Sequence, residues 1–545
     1  MELRLLVLVG LGLVVVVGGG CGGETSLCPG LPSAPAVLEP VIGRIDVTAQ
    51  TLRITSSPFV NTVADGHAGS QFEIWLVNDA GDRRERVWTA DIEQPADPAK
   101  LTAVTLADGA FEGIALPDAA LSPWTDYVVR VRYRDACGAW SDWSADRRFR
   151  TDDGGNEIFD PSQIRTVYLD IPPDSMQAME AEAVGPWPYP PQRHYQRGTL
   201  TFEGLVFDDV GVKVKGGCGS SRHTNQKAGL KISLTWDDPA VPGCPASRRL
   251  FGQTHLTLNN MVQDPTFERE RLAYELFRAA GVPAPRAAHV RVVVNGEDWG
   301  LYLHLESTDR RFFARWLPSS HGMLYEGGPF CDVIPNQIPP AGGQQCWDEG
   351  FTTDECSTPS PGDDPTDWSL LEQLGDQVAA LPQGQFYPGV GDFFDYDEFL
   401  TSWAVGAVID NWDGYQYGNV NNYRVYHDPS TGLWSLIQTG LDNTFDSNPN
   451  FDFWGAPSVL AARCLQEPAC KAAFAAKVAQ VNDLMESLDL ADEAEAIQTQ
   501  IAPEVATDPR KEESAAAAAG AHANLVDFLR QRPAAVRANL AAHGF

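Results

Sequence analysis

The sequence predicts the α+β fold class, with an all-β module followed by a larger part that begins sheet-rich and ends helical. Residues 32–152 repeatedly alternate apolar and polar side chains between Gly and Asp turns, which is typical of strands. Strand patterns continue from Ile164 with one amphipathic helix among them, and helical patterns dominate from Tyr396 onward. A chain of 545 residues has room for two to four domains, and a hydrophobic share of 43% excludes wholesale disorder.

The charge of the chain is strongly one-sided. With 40 Lys and Arg residues against 73 Asp and Glu residues, the net charge is −33. A face that binds nucleic acid needs a surplus of Lys and Arg, so the composition argues against a nucleic-acid partner. It favours basic partners or bound cations.

Residues 1–21 are predicted to be a lipoprotein signal peptide. The apolar run from Leu5 to Val17 is too short for a membrane span, which needs about 20 residues, but it suits a secretion signal. Small residues before Cys21 resemble a lipobox, in which Cys21 becomes the lipidated first residue. Gly18 departs from the usual Leu or Val, so plain cleavage is the alternative. We expect a bacterial cell-envelope lipoprotein, at the outer membrane or cell surface and attached to the membrane only through its lipid, or otherwise a secreted protein.

The other nine cysteines are predicted to form structural disulfides, because export exposes them to an oxidising compartment. Spacing suggests three pairs: Cys464 with Cys470, Cys218 with Cys244, and Cys28 with Cys137. Among Cys331, Cys346 and Cys356, one is left over. A zinc site is disfavoured, since the sequence has no CxxC pair and no Cys–His spacing of the zinc type.

The module at 32–152 ends in a recognisable segment. Tyr127 to Tyr133 alternates like a strand, and Trp140-Ser-Asp-Trp143-Ser follows it. This segment resembles the last strands of a fibronectin type III module, which implies a β-sandwich acting as a spacer or an adhesive module. Trp140 and Trp143 are predicted to lie in the sandwich core. Alternatively they stack on sugars, which would make the chain a carbohydrate-associated surface protein. Residues 152–156 form a linker.

The second part covers residues 160–542. Its predicted strands include Thr166–Ile171, Gly198–Phe202, Val210–Lys215 and Leu230–Leu234, in a sheet expected to be antiparallel. A helix is predicted over Thr266–Ala280, ended by Gly281 and Pro283. Asn295-Gly296 predicts a hairpin between two apolar strands. Residues 331–366 are rich in Pro, Gly and Asp and predict a disulfide-stapled excursion from the fold. We expect the run Glu512–Ala519 to be helical.

Three segments carry residues suited to chemistry. In the first, a Gly-rich turn with Ser220 and Ser221 follows Lys215, and such turns expose N–H groups that can cradle phosphate. The alternative is a plain hairpin turn with lysines facing solvent. The second, Asp410–Tyr423, crowds carboxylates and amides after an apolar helix, as hard cations and phosphoryl transfer require. Turn capping or a structural calcium loop is the alternative.

The third segment is an apolar strand, Leu433–Ile437, that delivers Asp442 shortly after its carboxyl end. A strand end is a usual place for a metal carboxylate, and a simple Asx turn is the alternative. Hydrolase chemistry is disfavoured, because the sequence has neither a Gly-x-Ser-x-Gly elbow nor a His-Glu-x-x-His motif.

Five blocks, in the same order, resemble the spore-coat CotH kinase family. The blocks are Gly211–Leu234, Asp264–Pro285, Val294–Glu306, Asn411–Tyr426 and Trp434–Phe445, and the tail Val526–Leu540 matches as well. The resemblance spans about residues 160–542. It implies a two-lobed atypical protein-kinase-like domain that binds ATP and a divalent metal, Mg²⁺ or Mn²⁺, in its cleft. The reaction implied is phosphate transfer to Ser or Thr of a secreted protein substrate. We expect that substrate to be Ser-rich, and the acidic charge of this chain suggests that it is basic.

The resemblance also implies residue roles at the nucleotide end of the cleft. Lys231, or alternatively Lys215, would pair with the ATP phosphates. Ser220 and Ser221 would lie at the phosphate turn. Glu270, or alternatively Glu268, would hold the lysine.

At the acceptor and metal end, Asp413 would orient the substrate hydroxyl and Asp442 would bind the metal, with Asn421 or Asn422 assisting. One position departs from the family pattern. Family members usually read Pro-Trp-Asp-x-Asp where this chain has Gly440 two residues before Asp442. The alternative is therefore a catalytically inactive pseudokinase that acts as a cell-surface adhesion or binding protein.

Overall fold

The computed structural model describes residues 31–40, 52–61, 66–77, 82–112, 121, 125–151, 158–185, 192–217, 219–236, 250–251, 253–320, 322–339, 346–351, 368–446 and 451–545. The predicted signal peptide, the 152–156 linker and Cys21, Cys28, Cys218, Cys244 and Cys356 lie outside these residues. The chain forms two compact units. One comprises Met1–Ile42, Arg53–Ala110 and Val128–Arg148, and the other comprises Gly43–Leu52, Phe111–Tyr127 and Phe149–Phe545.

Strands build the N-terminal region, as the alternating pattern predicts. They are β1 (Val37–Glu39), β2 (Arg53–Ser56), β3 (His67–Val77), β4 (Arg83–Glu93), β5 (Ala103–Thr105), β6 (Ala110–Phe111), β7 (Asp126–Asp135) and β8 (Arg147–Arg150). One sheet has the order β1-β2-β5 and the other the order β6-β4-β3-β7-β8.

The predicted core position of Trp140 and Trp143 is wrong. Both side chains are half-exposed. The Arg132 guanidinium lies 4.7 Å from the centroid of Trp140 and 4.5 Å from that of Trp143, and Arg130 lies 4.1 Å from Trp143. Side chains alternate between the two faces of a strand, so the arginines of β7 share its outer face and attract the indole rings there.

A closed barrel opens the second unit. Its strands are β9 (Arg165–Asp170), β10 (Gln196–Phe202), β11 (Leu205–Lys215), β12 (Gly229–Ser233), β13 (His255–Asn259), β14 (Ala287–Val294) and β15 (Glu297–Leu305), in the order β10-β11-β12-β13-β15-β14-β9. The expected antiparallel pairing holds for six of the seven neighbouring pairs, whereas β9 and β14 run parallel. Inward residues such as Val212, Leu230 and Ile232 are fully buried.

Two elements attached to the barrel follow the sequence closely. The Asn295-Gly296 hairpin is confirmed, with β14 pairing antiparallel to β15. The predicted helix over Thr266–Ala280 spans Arg269–Ala279, because Asp264 accepts hydrogen bonds from the N–H groups of Thr266 (2.9 Å) and Arg269 (2.8 Å) and thereby caps its start. Short helix α1 (Pro173–Ala181) precedes β10, and this longer helix is α2.

A second sheet has the order β17-β16-β18-β19, with strands β16 (Met323–Gly327), β17 (Trp347–Phe351), β18 (Tyr423–His427) and β19 (Trp434–Gln438). Strand β17 lies within the predicted excursion, so part of that segment belongs to this sheet. The Cys331–Cys346 disulfide closes the connection between β16 and β17.

Helices make up most of the remaining chain. They are α3 (Arg310–Trp316), α4 (Ser369–Ala380), α5 (Phe386–Val390), α6 (Tyr396–Val408), α7 (Val459–Leu465), α8 (Pro468–Leu488), α9 (Leu490–Thr507) and α10 (Ala515–Ala542). The predicted Cys464–Cys470 disulfide is confirmed and links α7 to α8. The run Glu512–Ala519 is helical only from Ala515. In the part of the chain that the structure describes, no helix has the length and apolar character needed to cross a bilayer.

Candidate functional site

Two of the predicted lysines project from the outer face of the barrel. On β11, Val212 and Val214 point inward, so the alternation turns Lys215 outward. Lys231 on β12 is likewise flanked by buried Leu230 and Ile232. A Cβ on Gly229, the register partner of Lys215, would lie 2.9 Å from the Cγ of that lysine. The glycine therefore leaves room for the lysine stem to lie across β12.

Helix α2 brings Glu270 to Lys215. An amide joins them: the Asn259 Nδ2 donates to Glu270 Oε2, and the Asn259 Oδ1 accepts from Lys215 Nζ at 3.4 Å. The side chain of Glu270 is buried. Burial, together with the charge of Asp442, raises the pKa of Glu270 to about 7, while Lys215 acts to lower it.

Asp442 follows β19 and faces the same group of side chains. Burial and the charge of Asp264 raise the pKa of Asp442 to about 6, Lys215 opposes them, and Asp413 adds to the rise. Burial and the charges of Glu270 and Asp442 raise the pKa of Tyr274, one turn beyond Glu270 on α2, while the backbone of Gly440 acts to lower it. The helix and the segment after β19 therefore lie near each other.

Lys231 shares Arg424 and Glu326 as charged neighbours with Lys215, but neither a carboxylate of α2 nor Asp442 acts strongly on it. Arg424 on β18 donates to Glu326 on β16 with N···O distances of 3.0 and 2.7 Å. Burial and the positive charges of Arg424 and Lys213 lower the pKa of Lys231 to about 8, against the attraction of Glu326. Neither Glu268 nor Glu270 acts strongly on Lys231, so it lies in a mostly positive environment that would attract an anion.

Asp413 accepts hydrogen bonds from several asparagine amides. Its Oδ1 accepts from the Nδ2 atoms of Asn419 (2.7 Å) and Asn421 (3.4 Å). Its Oδ2 accepts from those of Asn422 (3.0 Å) and Asn443 (3.5 Å). Amides from the loop before β18 and from the segment after β19 thus fix both oxygens of one carboxylate.

The Gly-rich turn closes on itself. The N–H groups of Ser220 and Ser221 both donate to Gly217 O, at 3.3 and 3.1 Å. The Ser221 hydroxyl donates to Gly216 O at 2.9 Å and accepts from Arg193 at 3.0 Å. In this conformation these groups stabilise the turn and do not form an open cradle for phosphate.

Glu268 and Lys227 have partners away from this cluster. Glu268, the alternative partner for the lysine, instead pairs with His522 of α10 at 2.9 Å. Lys227, which follows the turn, forms a buried ion pair with Asp508.

The backbone around Asp413 and Asp442 departs repeatedly from ordinary conformations. Asp410, Val420, Asn422 and Phe445 have φ values between 44° and 59°, in the left-handed region that L-residues seldom adopt. Each such residue costs on the order of 1–3 kcal/mol, and such costs concentrate at functional sites.

The donor atoms suit a hard divalent cation. Asp442 supplies a buried carboxylate whose pKa is raised first by burial and then by the charge of Asp264, with Asp413 acting in the same direction. Within the described ranges, no three His, Cys, Asp or Glu side chains lie close enough to form a metal site by themselves. Mg²⁺ is usually held by one or two carboxylates together with waters and substrate phosphates, and this donor set fits that mode.

Sequence reasoning did not find Asn259, Glu326, Arg424 or Tyr274. Arg424 left a signal, since it is a charged residue between the apolar Tyr423 and Val425 of β18. No sequence pattern indicates the role of Asn259, because that role depends on Lys215 and Glu270, which the fold brings to it.

Comparisons with known proteins place these residues within one family. A family model described as CotH kinase protein matches residues 212–536. Invasin CotH2 of Rhizopus delemar is 25% identical over 310 residues, covering 54% of this chain and 46% of that protein. Inner spore coat protein H of Bacillus subtilis is 26% identical over 224 residues, covering 40% of this chain and 59% of that protein. The chain spans about half the length of the curated relatives it matches.

Among solved structures, the third fibronectin III domain of the human KIAA0343 protein aligns at 20% identity, covering 25% of this chain and 91% of that domain, with a TM-score of 0.16. A score this low supports no conclusion about the N-terminal region.

The family model, by contrast, matches more than half of the chain, and the matched residues include Lys215, Glu270, Asp413 and Asp442. The chain belongs to the CotH kinase protein family.

Proposed function

We propose that this protein is an exported atypical protein kinase with a two-lobed cleft, transferring the γ-phosphoryl group of ATP to Ser or Thr of a secreted or surface protein. The observation that carries the proposal is the buried cluster in which Asn259 joins Lys215 to Glu270 beside Asp442, with Asp413 next to it. Phosphoryl transfer needs mostly positioning and charge neutralisation, and this cluster offers both.

Lys215 is the side chain best placed to hold the ATP phosphates. Asn259, which is itself held by Glu270, accepts a hydrogen bond from its ammonium group, and Asp442, in the segment after β19, acts on it electrostatically. Lys231 and Arg424 add positive charge on the same side of the barrel. They would attract the nucleotide and meet its outer phosphate oxygens.

Asp442 would hold Mg²⁺ or Mn²⁺, assisted by Asn421 or Asn422. When bound, the metal ion neutralises charge on the phosphate oxygens. The role of the protein is to bury Asp442 and to keep it near Lys215, so that a carboxylate for the metal and an ammonium group for the phosphates lie in one cluster.

Asp413 would receive the proton at the acceptor end. The hydroxyl oxygen of the acceptor forms a bond to the γ-phosphorus, the bond from that phosphorus to the bridging oxygen breaks, and ADP leaves. The hydroxyl proton passes to a carboxylate oxygen of Asp413. The asparagine amides would hold the carboxylate in line with the attacking oxygen.

The acceptor and the location follow from charge and from the names of relatives. A net charge of −33 favours a basic protein acceptor and disfavours nucleic acid, and the proposed reaction needs exposed Ser or Thr in that acceptor. Relatives are named as spore coat proteins and invasins, which supports a place at the cell surface. The predicted lipid on Cys21 would anchor the chain there.

Radiolabelled ATP with a basic Ser-rich acceptor protein tests the proposal, in Mg²⁺ or Mn²⁺ and with the purified full chain. We expect labelled product from the wild type and none above background from Asp413→Ala or Asp442→Ala. If calorimetry detects no metal-dependent binding of ATP to the wild-type protein, the kinase assignment is overturned.

An inactive pseudokinase that serves as an adhesion or binding protein is the second candidate. Gly440 favours it, because a carboxylate usual in the family is missing there, and so do relatives named as invasins. Metal-dependent nucleotide binding separates the two candidates, since the adhesion role needs none.

A further inference from the structure

The side-chain position of residue 440 is already filled. Gly440 has a φ of 58°. A Cβ built on it would lie 2.7 Å from both Cγ and Oδ1 of Asn422 and 3.1 Å from its Nδ2. Contacts under 3.0 Å between a Cβ and another heavy atom are essentially never seen in proteins. The amide of Asn422 therefore occupies the space that any side chain at residue 440 would need.

That amide in turn holds Asp413. The Asn422 Nδ2 donates to Asp413 Oδ2 at 3.0 Å and to its backbone carbonyl at 3.1 Å. The backbone of Asn422 is fixed as well, because its carbonyl accepts from the Thr439 N–H at 2.8 Å. Its φ of 54° is a conformation that Asn tolerates better than most residues. Residues 413, 422 and 440 thus form one contact chain.

We propose that Gly440 is a positioning residue, whose missing side chain leaves the space in which Asn422 holds Asp413. The inference rests on the proposed function for Asp413, whereas the contact chain stands without it. It reverses the simplest interpretation of Gly440 as a lost carboxylate: a carboxylate introduced there would displace Asn422 before it could serve as a ligand.

Urea unfolding of the full chain tests the contact chain without any assay of activity. Gly432 is the matched control, because its φ is 73° and a Cβ there would meet nothing within 4 Å. We expect Gly440→Ala to lower the urea midpoint clearly more than Gly432→Ala. In the Asn422→Ala background, Gly440→Ala should lower the urea midpoint no more than Gly432→Ala does, because the Asn422 amide that would collide with the new Cβ is absent.

The Gly440→Ala and Asn422→Ala variants with their double variant form one double-mutant cycle, and a second double-mutant cycle tests the contact between Asn422 and Asp413. Asn422→Ala should lower the midpoint in the wild type but hardly at all in the Asp413→Ala background, since its hydrogen-bond partner is already lost. Independent, additive effects in either cycle would overturn the inference, whatever the result of the kinase assay.

Phosphate transfer supplies the functional readout. We expect Gly440→Ala, Gly440→Asp and Asn422→Ala each to lower kcat roughly tenfold or more, with the KM for acceptor little changed. The Gly440→Ala/Asn422→Ala double variant should be no slower than Asn422→Ala alone. Higher activity in Gly440→Asp than in the wild type would overturn the inference. A wild type without ATP binding would refute the proposed function but leave the urea cycles to decide on the contact chain.

Discussion

Lys215 and Lys231 lie on adjacent strands, but replacing them should have unequal consequences. Lys215 is held by Asn259 and faces Glu270 and Asp442, whereas Lys231 adjoins Arg424. We expect Lys215→Met to lower phosphate transfer by about 100-fold or more, because a positioned charge at the reacting group is lost. Lys231→Met should cost less than about tenfold, since Arg424 still supplies positive charge. Initial rates at saturating acceptor measure both.

Lys213→Met is the control for this comparison, since Lys213 shares the outer face of β11 but lies 4.5 Å from the Tyr195 ring centroid. Its transfer rate should stay close to that of the wild type. Equal losses in the Lys215 and Lys231 variants would contradict the assignment of the phosphate-pairing role to Lys215.

Sequence alone favoured Lys231 for this role, and the reason it could not discriminate is physical. Alternation along β11 and β12 turns both lysines to one face, so their local patterns are the same. What separates them is Asn259, which lies on β13, two strands from β11, and accepts a hydrogen bond from Lys215 across β12. Strand order and register in the barrel determine that contact, and no local pattern encodes it.

Helices α2 and α10 are tied by an ion pair whose strength depends on pH. Glu268, directly before α2, is buried, and His522 of α10 donates to it. Burial raises the pKa of Glu268 to about 7 against the effect of His522, with smaller contributions from Asp264 and Arg271. Hydrogen bonds to Glu268 and to exposed Glu495 raise the pKa of His522, while burial lowers it.

The contribution of the Glu268–His522 pair to stability should therefore fall as pH rises from 5 to 8. A raised carboxyl pKa means that the native state binds its proton more tightly than the unfolded chain does, and this advantage is lost between pH 4.5 and about 7. The raised His522 pKa acts in the same direction, with its contribution lost above the ordinary value of 6.5. For Glu268 the loss is on the order of 3 kcal/mol.

Urea unfolding at pH 5 and pH 8 measures this effect by comparing variants. Between pH 5 and pH 8, the unfolding free energy of Glu268→Gln should change in a clearly more stabilising direction than that of the wild type, since its side chain cannot ionise. Glu486→Gln is the control, because Glu486 is exposed and lies in α8, and its change in unfolding free energy over this range should match that of the wild type. An identical pH dependence in Glu268→Gln and the wild type would show that the α2–α10 tie does not titrate in this range.

Individual elements were more predictable than their assembly. The Asn295-Gly296 hairpin and the helix after Asp264 depend on neighbours in the chain, and the sequence predicts both. The parallel pairing of β9 with β14, which helps to close the barrel, joins strands about 120 residues apart. Strand β17 was missed because its segment is dominated by the Pro, Gly and Asp residues around it.

At the scale of the whole second unit, the fold brings together residues that are far apart in sequence. The barrel carries Lys215, α2 carries Glu270, and the second sheet positions Asp413 and Asp442 at its edge. The order of these blocks along the chain was recognisable, but the Asn422–Gly440 contact that sets the position of Asp413 appears only when β18 and β19 pair.

The net charge of −33 predicts how the whole molecule selects its acceptor. Long-range attraction between an acidic protein and a basic acceptor raises the rate of encounter, and salt screens it, with a Debye length of about 10 Å at 0.1 M. We expect the KM for a basic Ser-rich acceptor to rise about tenfold between 20 and 300 mM NaCl, with kcat little changed. An acidic acceptor of the same length should show a flat or falling KM, because salt then screens repulsion. The same rise for both acceptors would show that salt acts on the site itself and that overall charge does not guide acceptor choice.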